Sequence, residues 1–157
     1  MIATSRHHTG AVMTTNTSVA HERLLYRLFD TFNSYDVEAF AACYAEDAVM
    51  HDVAIGKTFT GRAEIAEFLR VWLAASPDSH IEIGEPIVAG DRASVTWTGT
   101  GTLTGDFAHI PGAIHGSTVN QRAVSVMRFD AHGLITEHFD YYDMFGLLRQ
   151  MGIIPAE

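Results

Sequence analysis

Leu134-Ile135-Thr136-Glu137-His138-Phe139-Asp140-Tyr141-Tyr142-Asp143 is the stretch whose reading decides the fold. It follows a turn, Asp130-Ala131-His132-Gly133, and runs into a tail through Met144, Gly152 and Pro155. Side chains alternate between the two faces of a strand. Thr136, His138, Asp140 and Tyr142 therefore share one face, and Ile135, Glu137, Phe139 and Tyr141 the other. An acid between a histidine and a tyrosine on a largely buried sheet is costly unless it has work to do. Asp140 is accordingly the first candidate for chemistry. Asp143 has the opposite parity and suits the N-cap of a short terminal helix.

Working outward, His80–Val88, Arg92–Leu103 and Thr118–Phe129 also read as strands, separated by Gly, Asp and Pro signals. The chain before them is helical. His21–Tyr35 carries a stripe of Leu24, Leu25, Leu28, Phe29 and Phe32, and Asp36 is placed to cap a second helix, Val37–Tyr44. After a short strand, Ala48–Val53, a third helix spans Gly61–Ala74 and stops at Pro77. Helices first and strands afterwards predict an α+β domain: about three N-terminal helices on a curved antiparallel sheet, with a short C-terminal helix. Gly105–Gly116 is longer than a hairpin needs and reads as a lid. Gly99-Thr100-Gly101 falls within a strand and reads as the kink that lets the sheet curl.

A length of 157 residues suits one domain, expected over 18–157 behind a flexible leader, 1–17. No apolar run approaches the roughly 20 residues of a membrane span. The net charge of −9, with scattered Lys and Arg, excludes a basic footprint for nucleic acid or anionic lipid and disfavours a polyanionic ligand. The expected partner is a hydrophobic, uncharged or weakly charged small molecule, with a second copy of the chain as a homodimer. A single cysteine, Cys43, rules out an internal disulfide framework and reads as core packing in a cytoplasmic protein. The chain has 9 histidines but no compact ligand spacing with an acidic partner, so no metal is expected. Phosphate loops, dinucleotide fingerprints and nucleophile elbows are absent too, and no cofactor is expected.

Several segments carry a resemblance. They are Gly61-Arg62-Ala63-Glu64-Ile65 with Ser76-Pro77-Asp78; Trp97 with Gly101-Thr102-Leu103-Thr104-Gly105-Asp106-Phe107; and Gly133-Leu134-Ile135-Thr136-Glu137-His138 with Leu147-Leu148-Arg149-Gln150-Met151-Gly152. In this order they resemble the cone fold of the nuclear-transport-factor type, shared by ketosteroid isomerase, scytalone dehydratase and limonene epoxide hydrolase. Within it the chain is most similar to the SnoaL-like polyketide cyclases, over roughly residues 20 to 155. The resemblance implies a carboxylate on the final strands that points into the cone and handles protons, which here is Asp140. Two positions depart from the family pattern. Leu103 stands where such cyclases often carry a histidine, and Ile110-Pro111-Gly112-Ala113 replaces Pro-Pro-Thr-Gly.

Beside Asp140, the candidates are weighed by strand parity and setting. His51 and Asp52 are neighbours in a strand, so at most one faces a pocket; His51 is the pocket and catalytic candidate, and Asp52 reads as structural. His138 shares the face of Asp140 and is expected to orient it or line the cavity, as is Tyr142. Trp97, Tyr26 and the loop residue His109 are further expected pocket-lining residues; Trp72 reads as core. The Thr96–Thr104 stripe reads as sheet surface. The resulting expectation is a cofactor-free acid–base enzyme (cyclase, isomerase or dehydratase) acting on a polyketide-like or other hydrophobic oxygenated molecule. The alternative is a non-catalytic binding or dimerisation module of the same fold. An epoxide hydrolase of this fold would need an Arg-x-Asp on the Thr96–Leu103 strand, and none is there.

Overall fold

The computed structural model describes residues 9–155, with side chains from residue 16 onward. Residues 1–8 of the expected leader lie outside the described residues. The elements are α1 (Thr9–Asn33), α2 (Val37–Ala41), β1 (Tyr44–Asp52), β2 (Lys57–Thr60), α3 (Arg62–Ala75), β3 (His80–Ile83), β4 (Ile87–Ala89), β5 (Arg92–Thr102), β6 (Thr118–Phe129), β7 (Ile135–Tyr142) and α4 (Met144–Gln150).

The helices follow their caps and stripes. In α1 the predicted stripe buries Leu25, Leu28, Phe29 and Phe32. The Asp36 carboxylate accepts the Ala39 N–H at 3.0 Å and starts α2. Gly61 opens α3 at φ +85°, a conformation that favours glycine, and its N–H donates to the Ala48 carbonyl at 2.7 Å. Asp143 caps α4 by accepting the Gly146 N–H at 3.0 Å, as its parity predicted.

The sheet runs β2-β1-β7-β6-β5-β3, with β4 pairing β5 beside β3. Its centre is the long antiparallel ladder of β5, β6 and β7. The turn from β6 to β7 is pinned by Asp130, whose carboxylate accepts the N–H groups of His132 and Leu134 at 2.8 and 3.0 Å. Along β6 the alternation of period 2 buries Val119, Gln121, Ser125, Met127 and Phe129, with Ala123 and Val124 both half-buried mid-strand. The sheet curves without closing, and α1 and α3 cover its concave side with α2 between them. Four helices on a curved, unclosed sheet make the expected α+β cone.

Several details differ from the sequence reading. The first helix begins at Thr9, not His21, so residues 9–17 of the expected leader are helical, and β2 was not expected. The sheet is mixed, because β1 runs parallel to β7, pairing Asp52 with Asp140. Tyr44 belongs to β1 and not to the second helix, which ends at Ala41 where the chain turns into the sheet. The predicted strand His80–Val88 is two strands, since Gly84-Glu85-Pro86 interrupts the ladder and Pro lacks the N–H to continue it.

Two apolar clusters flank the middle of the cone. One joins α1, α2 and β1 to the closed end, around Leu25, Tyr44, Ile65 and Ile135. The other lies under the lid, where Leu103, Phe107, Ile110, Leu147 and Met151 are buried together. Cys43 is buried at the closed end, as expected, and burial raises its thiol pKa above the ordinary value, with Arg27 opposing.

Candidate functional site

Between the two clusters lies a cavity of about 120 Å³. Its wall is aromatic and aliphatic, with contributions from α1 (Phe29, Phe32), α3 (Phe68, Trp72), and the lid (Phe107, Ile110). Trp72 packs edge-on against Phe107, with ring centroids 4.9 Å apart, which ties the lid to α3. The long loop thus closes over the cavity, as a lid would.

On the sheet side, β7 points His138, Asp140 and Tyr142 inward, and β1 points Met50 and Asp52 inward. Asp140 is 9% exposed and Asp52 4%. Two carboxylates therefore occupy one register position on adjacent parallel strands, in an apolar chamber.

A hydrogen-bonded chain fixes Asp140. The Trp97 Nε1–H donates to Ser125 Oγ at 2.9 Å, and the Ser125 hydroxyl donates to Asp140 Oδ1. His138 Nε2 lies 2.8 Å from the same oxygen, and its Nδ1 lies 2.7 Å from the Tyr44 hydroxyl. Tyr44 is fully buried, and among the described residues His138 is its hydroxyl's only hydrogen-bond partner. The buried O–H is satisfied if it donates to Nδ1, which places the imidazole proton on Nε2, directed at Asp140. Burial, with Asp140 and Cys43 adding to it, pushes the Tyr44 phenol well above its usual pKa, so it stays protonated. Ser125 and His138 thus converge on Oδ1, with Trp97 and Tyr44 held behind them. Among the described residues no donor reaches Oδ2, leaving that oxygen free on the cavity side.

Asp52 is held differently. Its Oδ1 accepts the Ile55 N–H at 3.2 Å, and its Oδ2 accepts the Tyr142 hydroxyl at 3.0 Å. Burial lifts its pKa from 3.8 to about 6, and the neighbouring Asp140 adds to the lift, against the opposing hydrogen bonds. Tyr142 is pushed upward as well, by burial first and then by the charge of Asp52. A carboxyl group near pKa 6 exchanges its proton readily at neutral pH, while Asp140 presents a bare oxygen beside it.

Of the predicted site residues, Asp140, His138, Trp97 and Tyr142 line the cavity. The expectation for His51 is corrected. It lies on the outer face of β1, bonded to Thr58 Oγ1 at 3.1 Å and stacked on Phe139 at 4.4 Å, because the parity that turns Asp52 inward turns His51 out. Asp52, read from sequence as structural, takes the inward place. Tyr26 is corrected too: it is 41% exposed on α1, on the side away from the stripe. His109 backs the wall without lining it, packed among Phe59, Phe68 and Phe107, and burial, with Lys57 nearby, lowers its pKa. Leu103 is fully buried in the cluster under the lid, so the position where related cyclases carry a histidine is packing here. Ser125 and Tyr44 were not singled out from sequence. Ser125 had a usable signal: it is a small polar residue at an inward position of a strand whose other inward residues are mostly apolar. Among the described residues no group of three or more potential metal ligands occurs.

Comparison with known proteins agrees with this architecture. AclR, a candidate hydroxylase from Streptomyces galilaeus, superposes with a TM-score of 0.75 at 23% identity, over 89% of this chain and 85% of its own. A candidate polyketide cyclase from Xanthomonas campestris gives 0.70 at 24% identity, over 86% and 98%. A candidate SnoaL-like polyketide cyclase from Jannaschia sp. CCS1 gives 0.76 at 15% identity, over 96% and 100%. At these identities the likeness is one of fold. No curated protein matches the chain in sequence. The model of the SnoaL-like domain matches residues 25–138, most of the helical layer and the sheet up to the strand that carries Asp140. The chain belongs to the SnoaL-like domain family.

Proposed function

We propose that this protein is a cofactor-free acid–base enzyme of the cyclase, isomerase or dehydratase kind, acting on a hydrophobic oxygenated small molecule of polyketide-like character. The single observation that carries this reading is Asp140. Its Oδ1 is saturated by Ser125 and His138 while its Oδ2 faces an apolar cavity with no protein donor among the described residues. A purely structural carboxylate would have both oxygens engaged. Asp140 Oδ2 would take a proton from a carbon next to a carbonyl, and the Tyr142–Asp52 pair would supply a hydrogen bond or a proton to the oxygen that becomes negative. Ring closure, a double-bond shift or loss of water completes the sequence. Each positioned proton transfer typically contributes ~10²–10⁴-fold.

The expected homodimer fits the outer sheet face. There Phe139 stacks between His51 and Tyr141, and Val126 and Tyr141 are 39% and 44% exposed. A second copy of this chain would cover that patch and leave the cavity open on the other side.

The test is exchange of α-protons into D₂O, followed by NMR on a panel of cyclic and aromatic ketones. Exchange that the protein accelerates and that Asp140→Asn abolishes supports the enzyme. Tight binding of the same ketones with exchange no faster than buffer, in wild type and variant alike, points to a binding module instead.

A further inference from the structure

The charges in the cavity do not balance. The acidic side chains on its wall are Asp52 and Asp140, and among the described residues no Lys or Arg lines it. His138, with Nδ1 2.7 Å from the buried Tyr44 hydroxyl and Nε2 2.8 Å from Asp140 Oδ1, is one imidazole against two carboxylates and does not reach Asp52. His80 lies exposed at the rim. Buried carboxylates are ordinarily paired with a cation or a metal. Among the described residues Asp52 is bonded only to neutral donors, the Ile55 N–H and the Tyr142 hydroxyl, and Asp140 Oδ2 has no protein donor.

The walls around the pair are of the kind that holds a cation. Tyr142 is bonded directly to Asp52, and Trp97 reaches Asp140 through Ser125, so both rings stand within two hydrogen bonds of the carboxylates. Phe29, Phe40 and Phe68 line the same chamber. Aromatic faces attract ammonium groups through the ring quadrupole, most strongly where water is excluded. The net charge of −9 adds a field that draws cations towards the protein.

We propose that the ligand of this cavity carries a cationic nitrogen, a protonated amine or quaternary ammonium group, seated between Asp52 and Asp140 against the aromatic wall. The proposal rests on reading the cavity as the ligand site, and it narrows the substrate class from a neutral oxygenated molecule to one that also bears an amine. Such a group relieves the repulsion between the two carboxylates, which a neutral ligand leaves in place.

Two probes of the same shape test it: phenyltrimethylammonium and tert-butylbenzene, titrated calorimetrically at pH 8, well above the pKa of about 6 of Asp52. The cation is expected to bind at least about tenfold more tightly than its neutral isostere. In the double variant Asp52→Asn/Asp140→Asn, with its fold checked by circular dichroism, the two probes are expected to bind within about twofold of each other. Equal or tighter binding of tert-butylbenzene to the wild-type protein overturns the proposal, and that comparison needs no variant. A cation preference undiminished in the folded double variant overturns it as well. Either failure leaves the Asp140-dependent exchange of neutral ketones untouched, so the acid–base reading stands or falls by its own experiment.

Discussion

Asp52 and Asp140 are paired across the parallel strands β1 and β7, and both point into one apolar cavity, yet the protein holds them in opposite ways. Asp140 has one oxygen gathered by Ser125 and His138 and the other without a protein donor among the described residues. Asp52 has both oxygens engaged, by Ile55 and Tyr142, and a pKa lifted to about 6. Neighbouring carboxylates whose environments separate them in this way are suited to give and take a proton in the same turnover.

The state of Asp52 sets a pH dependence of stability. Its folded pKa, about 6, lies above the ordinary 3.8, so between these values the folded protein binds more protons than the unfolded chain. Stability contributed by this group is therefore present in full below about pH 4 and is lost as pH rises through about 6. The size is about 3 kcal/mol. Chemical denaturation of wild type and Asp52→Asn from pH 4 to pH 7.5 checks it. The difference between the two proteins should shift in favour of the variant as pH rises, and a difference that stays flat would remove the burial argument.

Two substitutions at Asp140 separate its structural role from its chemical one. Asp140→Asn keeps an oxygen for the Ser125 and His138 donors, and its thermal midpoint should stay near that of wild type. Asp140→Ala leaves both donors unpaired in a buried site, at a cost of about 1–3 kcal/mol for each group so stranded. Differential scanning calorimetry should place the alanine variant clearly below the asparagine variant. Equal midpoints would mean that the convergence on Oδ1 is not maintained in solution.

Much of this site was legible from strand parity, and two of the failures, at Asp52 and at Tyr44, have a related cause. His138, Asp140 and Tyr142 were correctly grouped because β7 stays regular from Glu137 to Tyr142. The same argument could not choose between His51 and Asp52, since β1 carries a register shift between Tyr44 and Val49. A bulge resets the phase of the strand, and only the phase at the cavity end decides which residue faces in. Tyr44 was lost for a related reason: Val37, Phe40, Ala41 and Tyr44 keep helical spacing past the point where α2 ends. Element order is enough for the α+β class, and the motif resemblance implies the cone. A contact such as Tyr44 to His138, across 94 positions of sequence, becomes visible only when the sheet is assembled.

Tyr44→Phe tests that long-range contact. The substitution keeps the ring, which packs 5.5 Å from Phe40, and removes only the hydroxyl that donates to His138 Nδ1. It leaves a buried ring nitrogen without a partner, at a cost of about 1–3 kcal/mol. The imidazole is then free to move its proton between the two nitrogens, and its hold on Asp140 weakens. Nitrogen chemical shifts of His138 should report a single tautomer, protonated at Nε2, in wild type and a mixture in the variant. A wild-type spectrum with the proton on Nδ1 would contradict the direction of the Tyr44 hydrogen bond.

The outer face of the sheet makes the last prediction. Tyr141, Phe139 and Val126 lie on the side of β6 and β7 opposite the cavity, and Val126 pairs directly with Phe139 in the ladder. Aromatic and aliphatic groups that adjoin across two strands form one patch, and a charge set in its middle must be desolvated when a second copy covers it. Tyr141→Arg should therefore shift the proposed dimer towards monomer in sedimentation velocity at micromolar concentration. The variant's cavity residues are untouched, because Tyr141 points away from Asp140 and Tyr142 on either side of it. Ketone exchange per subunit should accordingly persist in the monomer. A wild-type protein that sediments as a monomer would remove the second copy from this face.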